Sequence, residues 1–290
     1  MAFRTVVIDT HSKLEYSLNY LVFRTPLETK RILLDEIQTI IIQSTEVAVT
    51  TALLSELCKR KIKVVFCDAK RNPESELVPY YGAHNVYKRL MDQLSWTAES
   101  KAIVWRAIVR EKILNQSSLL TERRMLERSG QLRAFADQVE PGDTTNREGH
   151  AAKVYFNSVF FDGFSRVLEH PINTYLNYGY TILLSQFSRC ITAAGYLTTL
   201  GIHHIGETNP FNFASDLMEP FRPYIDRLAA SIKDGEDYKN MMISILAEEV
   251  VIDSKRQTLA NAISIYAQSV FNALSKADPS LIKFPIYARP

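Results

Sequence analysis

The sequence predicts an α+β chain: a small β-rich N-terminal domain (residues 1–70) followed by a larger all-α domain (residues 85–290). Three observations carry this reading. Short β-branched and aromatic runs, separated by polar turns, fill the first 70 residues. Residues 71–84 gather proline, glycine and mixed charge, as an interdomain linker does. From residue 85 onward, long segments repeat their apolar residues at a period of about 3.6. A chain of 290 residues can bury two such cores.

Taken in order, FRTVVID, KLEYSL, NYLVFRT and TIIIQ are the expected strands. VAVTTALLSELCKRK places Val49, Leu53, Leu54 and Leu57 at helical spacing, and IKVVFCD reads as a buried strand running to Asp68. Beyond the linker the expected helices are VYKRLMDQLSWTAESKAIVWRAIVREKILNQSSLL, AKVYFNSVFFDGFSRVL, YTILLSQFSRCITAAGYLTTLG and YKNMMISILAEEVVID. A last helix is expected from about Ser254 to Leu274. The terminal IKFPIYARP, with two prolines, reads as an extended tail packed against its surroundings.

Hydrophobic content of 46% with 23% charged residues belongs to a packed soluble protein and argues against disorder. No apolar run reaches the length of a membrane span, even around Ile40 to Ile42. The opening MAFRTVVIDT lacks the apolar core of a signal peptide, so the expected location is the cytoplasm. Cys58, Cys67 and Cys190 fall in no zinc-like spacing and are expected as reduced thiols. A net charge of +2 says little, but its distribution says more. From Ser100 to Arg133 there are eight basic residues (Lys101, Arg106, Arg110, Lys112, Arg123, Arg124, Arg128 and Arg133) against three Glu. That stretch is either a solvated helical face or a surface that tracks phosphates.

No Walker loop, GxGxxG, HExxH or GxSxG is present. Nucleotide hydrolysis, dinucleotide redox chemistry, zincin proteolysis and α/β-hydrolase chemistry therefore lose their support. Three acidic or histidine-bearing segments remain: NREGHAAKVYF, GIHHIGETNPFNF and SDLMEPFRP. Asp216 and Glu219 stand three apart and share one helical face, as helix-end charges or as partners of a cation. His203 and His204 are adjacent on a turn, so at most one serves a given metal. Glu148 opens a helical run, where a carboxylate also suits the helix dipole. Together, two carboxylates and an imidazole suit Mg²⁺ or Mn²⁺. An ion so held serves nuclease-like or transesterase-like chemistry, with Arg222 near enough in sequence to hold a phosphate.

At these residues the sequence resembles the Cas-one family of CRISPR-associated integrases, in the short form that accompanies type II systems. REGHAAKVYF resembles the family's E-G-x-x-A helix, and LNYGYTILL its N-Y-G-Y segment. LGIHH followed by DLMEPFRP resembles its histidine and D-L-M-E-x-F-R-P signature. The resemblance implies Glu148, His204 and Glu219 as ligands of Mg²⁺ or Mn²⁺. His204 is preferred because the family's histidine lies three residues after a glycine, here Gly201. Asp216 completes the catalytic set by orienting a ligand or binding through water, and Arg222 contacts the scissile or an adjacent phosphate. Lys101, Arg106, Arg110, Arg123 and Arg124 become candidates for the DNA backbone, while Tyr155, Tyr178 and Tyr180 support the core.

The implied activity joins prespacer 3′-hydroxyl ends to the leader–repeat target by transesterification, without ATP. The implied partners are double-stranded DNA, a second copy bound through the N-terminal domain, and a Cas-two dimer clamped in a heterohexamer, with room for other type II acquisition proteins. Two other readings use the same residues. A general metal-dependent nuclease would attack branched or single-stranded nucleic acid with water, and an architectural DNA-binding subunit would leave the carboxylates without a catalytic role.

Overall fold

The β-branched runs at the start of the chain form strands. In the computed structural model, which describes residues 4–71, 73–77, 85–233 and 235–287, the first unit (residues 1–84) carries β1 (Arg4–Ile8), β2 (Ser12–Ser17), β3 (Tyr20–Arg24), β4 (Thr29–Leu33), β5 (Ile37–Ile42), β6 (Val47–Val49), α1 (Thr51–Lys59), β7 (Lys63–Cys67) and β8 (Pro73–Glu76). One sheet runs β1-β5-β7-β8, with β1, β5 and β7 parallel and Ile40 opposite both Val6 and Val64. Every residue of β5 is buried, which is why IQTIII is a continuous run rather than an alternating one. The second sheet runs β4-β3-β2-β6, and its β2–β3 turn places Leu18 and Asn19 both at positive φ, as a type I′ hairpin requires. Leu14, Leu21, Ile40, Leu53 and Val64 meet in one core.

Besides β4, which is not among the expected strands, two segments depart from the expected pattern. Val47–Val49 is a strand paired with β2 rather than the start of a helix, and α1 begins only where the Thr50 hydroxyl accepts from the Leu53 N–H. Pro73–Glu76, expected within the linker, pairs antiparallel with β7 and brings Glu76 to the buried ammonium of Lys63. Of that expected linker, Asn72 and residues 78–84 lie outside the described residues.

The second unit (residues 85–290) is helical in the main: α2 (Val86–Ser95), α3 (Ala98–Glu122), α4 (Leu126–Asp137), α5 (Arg147–Val159), α6 (Pro171–Ala193), α7 (Asn212–Met218), α8 (Arg222–Ala229), α9 (Tyr238–Ser244) and α10 (Leu259–Lys276). The first expected helix is divided at Trp96–Thr97, where the Thr97 hydroxyl caps α3 by accepting from the Ser100 N–H at 3.1 Å. Trp105, Ile108, Val109, Ile113 and Leu120 bury one side of α3. Gln93 of α2 is buried and tied to the loop after α6: its amide donates to the Leu197 and Leu200 carbonyls and its Oε1 accepts from the Leu197 N–H.

The expected all-helical character has one exception, a small sheet of order β10-β9-β11 made by β9 (Glu249–Ile252), β10 (Lys255–Thr258) and β11 (Ile286–Tyr287). Asp253 and Ser254 both take positive φ and turn β9 into β10, so the helix read through YKNMMISILAEEVVID stops at Ser244. The last helix accordingly starts at Leu259, not Ser254. The C-terminal tail does pack, as β11 against β9. None of the three cysteines forms a disulfide, and no helix among the described residues is long and apolar enough to cross a membrane.

Gly179 explains part of the N-Y-G-Y segment. A Cβ there would sit 2.5 Å from Ile225 Cγ2 and 2.8 Å from Met242 Sδ, so α6 meets α8 and α9 through a residue without a side chain. Gly179→Ala is expected to overpack this crossing and cost about 1–3 kcal/mol, read as a lower urea midpoint. An unchanged midpoint would mean that the helices do not approach this closely.

Candidate active site

Glu148 lies in the first turn of α5, and that turn is held from outside the helix. The Asp143 carboxylate accepts from the Arg147 N–H (2.8 Å) and the Glu148 N–H (3.0 Å), while Asn146 Oδ1 accepts from the Gly149 N–H (3.2 Å). Glu219 lies where α7 ends, in the 3-10 turn Glu219–Phe221; Pro220 has no N–H with which to continue the helix. Asn115 of α3 donates to the Pro220 carbonyl at 2.9 Å and fixes this turn. The two glutamates meet at Lys112 of α3. Its ammonium is 2.5 Å from Glu148 Oε1 and 2.5 Å from Glu219 Oε2. Arg222 Nε donates to the other Glu219 oxygen, Oε1, at 2.8 Å, and its guanidinium lies 4.5 Å from the centre of the Tyr180 ring.

Glu219 is buried, and burial alone pushes a carboxyl up; Arg222 and Lys112 outweigh it and hold this group down at about 2. Lys112 answers in the other sense. Burial pulls its ammonium down, but Glu148 and Glu219 raise it on balance.

His204 is set by Asp216. This carboxylate, fully buried on α7, accepts from the N–H groups of Ile202 (2.7 Å), His203 (3.1 Å) and His204 (3.0 Å), and its Oδ1 lies 2.6 Å from His204 Nδ1. Four donors on one carboxylate fold the 202–204 turn around it. Gly201 permits this, because a Cβ there would strike the His204 carbonyl and come within 2.8 Å of Asp216 Oδ2. The Asp216 hydrogen bond raises the His204 pKa, against partial burial, and the charges of Glu219 and Glu148 add to it. With Nδ1 on Asp216, Nε2 is the nitrogen left for a ligand. The His203 ring instead stacks on Trp105 at 4.2 Å, nearly parallel, and stands at right angles to His204.

Behind Arg222 lies a group that the sequence reading missed. Asp226 of α8 is buried and accepts from the Tyr155 hydroxyl (3.0 Å) and the Tyr180 hydroxyl (2.5 Å). Burial pushes its carboxyl up to about 6, against the pull of the two hydroxyls and Arg222. Tyr178 stands edge-on to Tyr238. Asp226 follows Arg222 by four residues and Glu219 by seven, so helical spacing was a usable signal for it.

The basic candidates scatter. Lys101 lines a cleft of about 540 Å³ with Gly201, His204 and Ile205. Arg106 lines another, of about 400 Å³, with Glu140 and Arg147, and Arg110 pairs with Asp137 at 3.3 Å on the surface. Arg123 donates to the Val159 carbonyl at 2.7 Å, closing the end of α5. Arg124 is exposed in the left-handed turn after α3. Arg222 has its Nε on Glu219 rather than turned to solvent.

Comparison with known proteins gives the family of this chain. The family model described as CRISPR associated protein Cas1 matches residues 5–263. The chain belongs to the Cas1 family. A curated relative from Neisseria meningitidis serogroup C (strain 8013), the CRISPR-associated endonuclease Cas1, is 32% identical over 98% of this chain and 96% of its own. Among solved structures, a casposase bound to an integration product superposes with a TM-score of 0.73, at 18% identity, over 94% of this chain and 91% of that one. A chain of a partial Cas6-RT-Cas1–Cas2 complex does so at 0.66, at 21% identity, over 97% and 98%. The fold and family read from the motifs are thus borne out, and with them membership of the Cas1 endonuclease/integrase family of CRISPR adaptation.

The site of this Cas1-family chain fits a divalent ion by its chemistry. Its donors are two carboxylates and one imidazole, which suit Mg²⁺ and Mn²⁺. Glu148 and Glu219 already share a cation, the ammonium of Lys112. Among the described residues no three His, Cys, Asp or Glu side chains are gathered into a ready ligand set, and Lys112 holds the oxygens that such a set would need.

Proposed function

We propose that this chain is the metal-dependent DNA integrase of CRISPR spacer acquisition, joining 3′-hydroxyl ends of a prespacer duplex to the leader–repeat target. One observation carries the reading: Glu148 and Glu219, 71 residues apart in sequence, share one buried cation position beside a histidine whose Nδ1 is fixed by a buried carboxylate. Glu148, Glu219 and His204 Nε2 hold Mg²⁺ or Mn²⁺, and Asp216 keeps His204 in the ligating tautomer. When bound, the ion supplies Lewis acidity at a phosphoryl oxygen. Arg222 fixes the Glu219 carboxylate and adds positive charge beside the phosphate. The new P–O3′ bond replaces the one that breaks, so no nucleotide is consumed, in keeping with the absence of a Walker loop. Lys101 and Arg106, each lining a cleft, are the favoured contacts to the DNA backbone, with Arg110 and Arg124 on the surface beyond them. The likeness to a chain of a Cas1–Cas2 complex supports a Cas2 dimer as partner, and pairing of two copies through the N-terminal unit is part of the same reading.

The test is integration of a 3′-hydroxyl duplex into a supercoiled plasmid carrying a CRISPR repeat, with Cas2, with and without Mn²⁺ or Mg²⁺. Glu148→Ala and His204→Ala are each expected to lower metal-dependent joining by at least about a hundredfold. Nicking without joining would favour a general nuclease, and indifference to metal would leave an architectural subunit.

A further inference from the structure

Lys112 is the member of the cluster to which the reaction gives no task, yet its ammonium meets both glutamates. Both oxygens of Glu219 are engaged, Oε1 by Arg222 and Oε2 by Lys112, and Glu148 Oε1 shares the same ammonium. An ion that reaches Glu219 therefore comes into direct contact with two cations already in place, and the repulsion falls if one of them withdraws. Arg222 is the worse candidate to move. Its guanidinium lies against the Tyr180 ring, whose hydroxyl is itself bonded to Asp226. Lysine suits displacement: it is a compact charge on a flexible stem, where arginine is a planar fork.

We propose that the Lys112 ammonium is a built-in placeholder cation, holding Glu148 and Glu219 together until a divalent ion arrives and leaving their oxygens when it does. The proposal rests on the metal-dependent reading above and concerns how the ion is loaded.

Electrostatics gives the direction. Glu219 has 4% of its side chain exposed and Glu148 24%, so water screens their mutual repulsion poorly and a cation must do so. Lys112, Arg222, Glu148 and Glu219 together carry no net charge. A divalent ion entering while Lys112 stays would place two uncompensated positive charges in a buried site. If Lys112 withdraws, that excess is halved at the carboxylates. Removing the ammonium by mutation should therefore favour the ion and weaken the ion-free fold. An ordinary structural ion pair would do the second without the first.

The full-length chain would be compared as wild type, Lys112→Met and Lys112→Arg, with Lys112→Gln in reserve where the Met variant does not fold. Mn²⁺ affinity would be measured by calorimetry, and thermal unfolding in EDTA and in saturating Mn²⁺. Lys112→Met is expected to bind Mn²⁺ at least about tenfold more tightly, since a like charge has left contact distance of the ion. Its unfolding midpoint should fall in EDTA and recover in Mn²⁺. Lys112→Arg, which keeps the charge, should bind no more tightly than wild type. Equal Mn²⁺ affinity in wild type and Lys112→Met would overturn the placeholder role and leave the metal reading intact. A loss of stability that Mn²⁺ does not restore would overturn it likewise, making Lys112 a structural ion pair. Absence of Mn²⁺ binding in all the proteins would remove the metal reading and this inference with it.

Discussion

Asp216→Asn is expected to lower both Mn²⁺ affinity and DNA joining by about 10- to 100-fold, although Asp216 itself touches neither ion nor substrate. The carboxylate accepts four hydrogen bonds, three from the backbone of residues 202–204 and one from the His204 ring. An amide keeps the shape but presents an NH₂ in place of one oxygen. If the NH₂ falls opposite the Ile202 and His203 N–H groups, donors face donors and the turn opens. If it falls opposite His204, Nδ1 must accept, the ring proton moves to Nε2, and the ligating lone pair is lost. Asp216→Ala removes both acceptor oxygens and leaves the N–H groups of residues 202–204 unpaired, each at a cost of about 1–3 kcal/mol, so it should also fail to fold well. The readout separating orientation from simple instability is the His204 titration, followed by NMR in EDTA. The Asp216 bond raises that pKa, so it should fall in the Asn variant. The stabilisation linked to His204 is present below its ordinary 6.5 and lost as pH rises through its raised folded value; the variant should lack that limb. An Asn variant with wild-type Mn²⁺ affinity and an unmoved His204 titration would refute this role.

The parts of this design that could be read from the sequence are those whose signal is local. Strand runs such as TIIIQ and helical periods such as that of α3 reflect which face each residue buries, and they survived folding. β4 was missed because TKRIL is an edge strand, exposed over Thr29, Lys30 and Arg31, with no apolar alternation to show. β9 was read as helix because a three-residue apolar run does not distinguish the two periods, and only its pairing with β10 and β11 decides. At the site, Glu148, His204, Asp216 and Glu219 stood out through their motifs, and the structure brings all four into one region around Lys112 and Asp216. Lys112 was counted merely as one of eight basic residues. It does occupy the apolar stripe of α3, between Ile108 and Gln116, and a charge on a buried stripe was the available clue. Its partner Glu219 lies 107 residues away, a pairing that tertiary structure alone reveals.

Glu219→Gln should be the more damaging change to the ion-free fold. The carboxylate is the counter-charge for two cations at once, and the amide leaves Lys112 with Glu148 while Arg222 faces a neutral group. Depression of its pKa from 4.5 to about 2 corresponds to about 3 kcal/mol of stability at neutral pH, in the range expected for breaking a buried ion pair. Because the folded-state value is depressed, that stabilisation is present above about 4.5 and is lost as pH falls through about 2. Asp226 works in the opposite sense. Its carboxyl is raised from 3.8 to about 6, so its contribution is full below 3.8 and lost as pH rises through about 6. Wild type and variant share Asp226, and its limb cancels in their difference. Urea unfolding in EDTA should therefore show wild type ahead by about 3 kcal/mol at pH 7, with the gap closing between about pH 4.5 and pH 2. A gap that stays constant over this range would mean that Glu219 stabilises by shape and packing rather than by charge. Mn²⁺ should not rescue the variant, because the same missing charge is one that the ion requires.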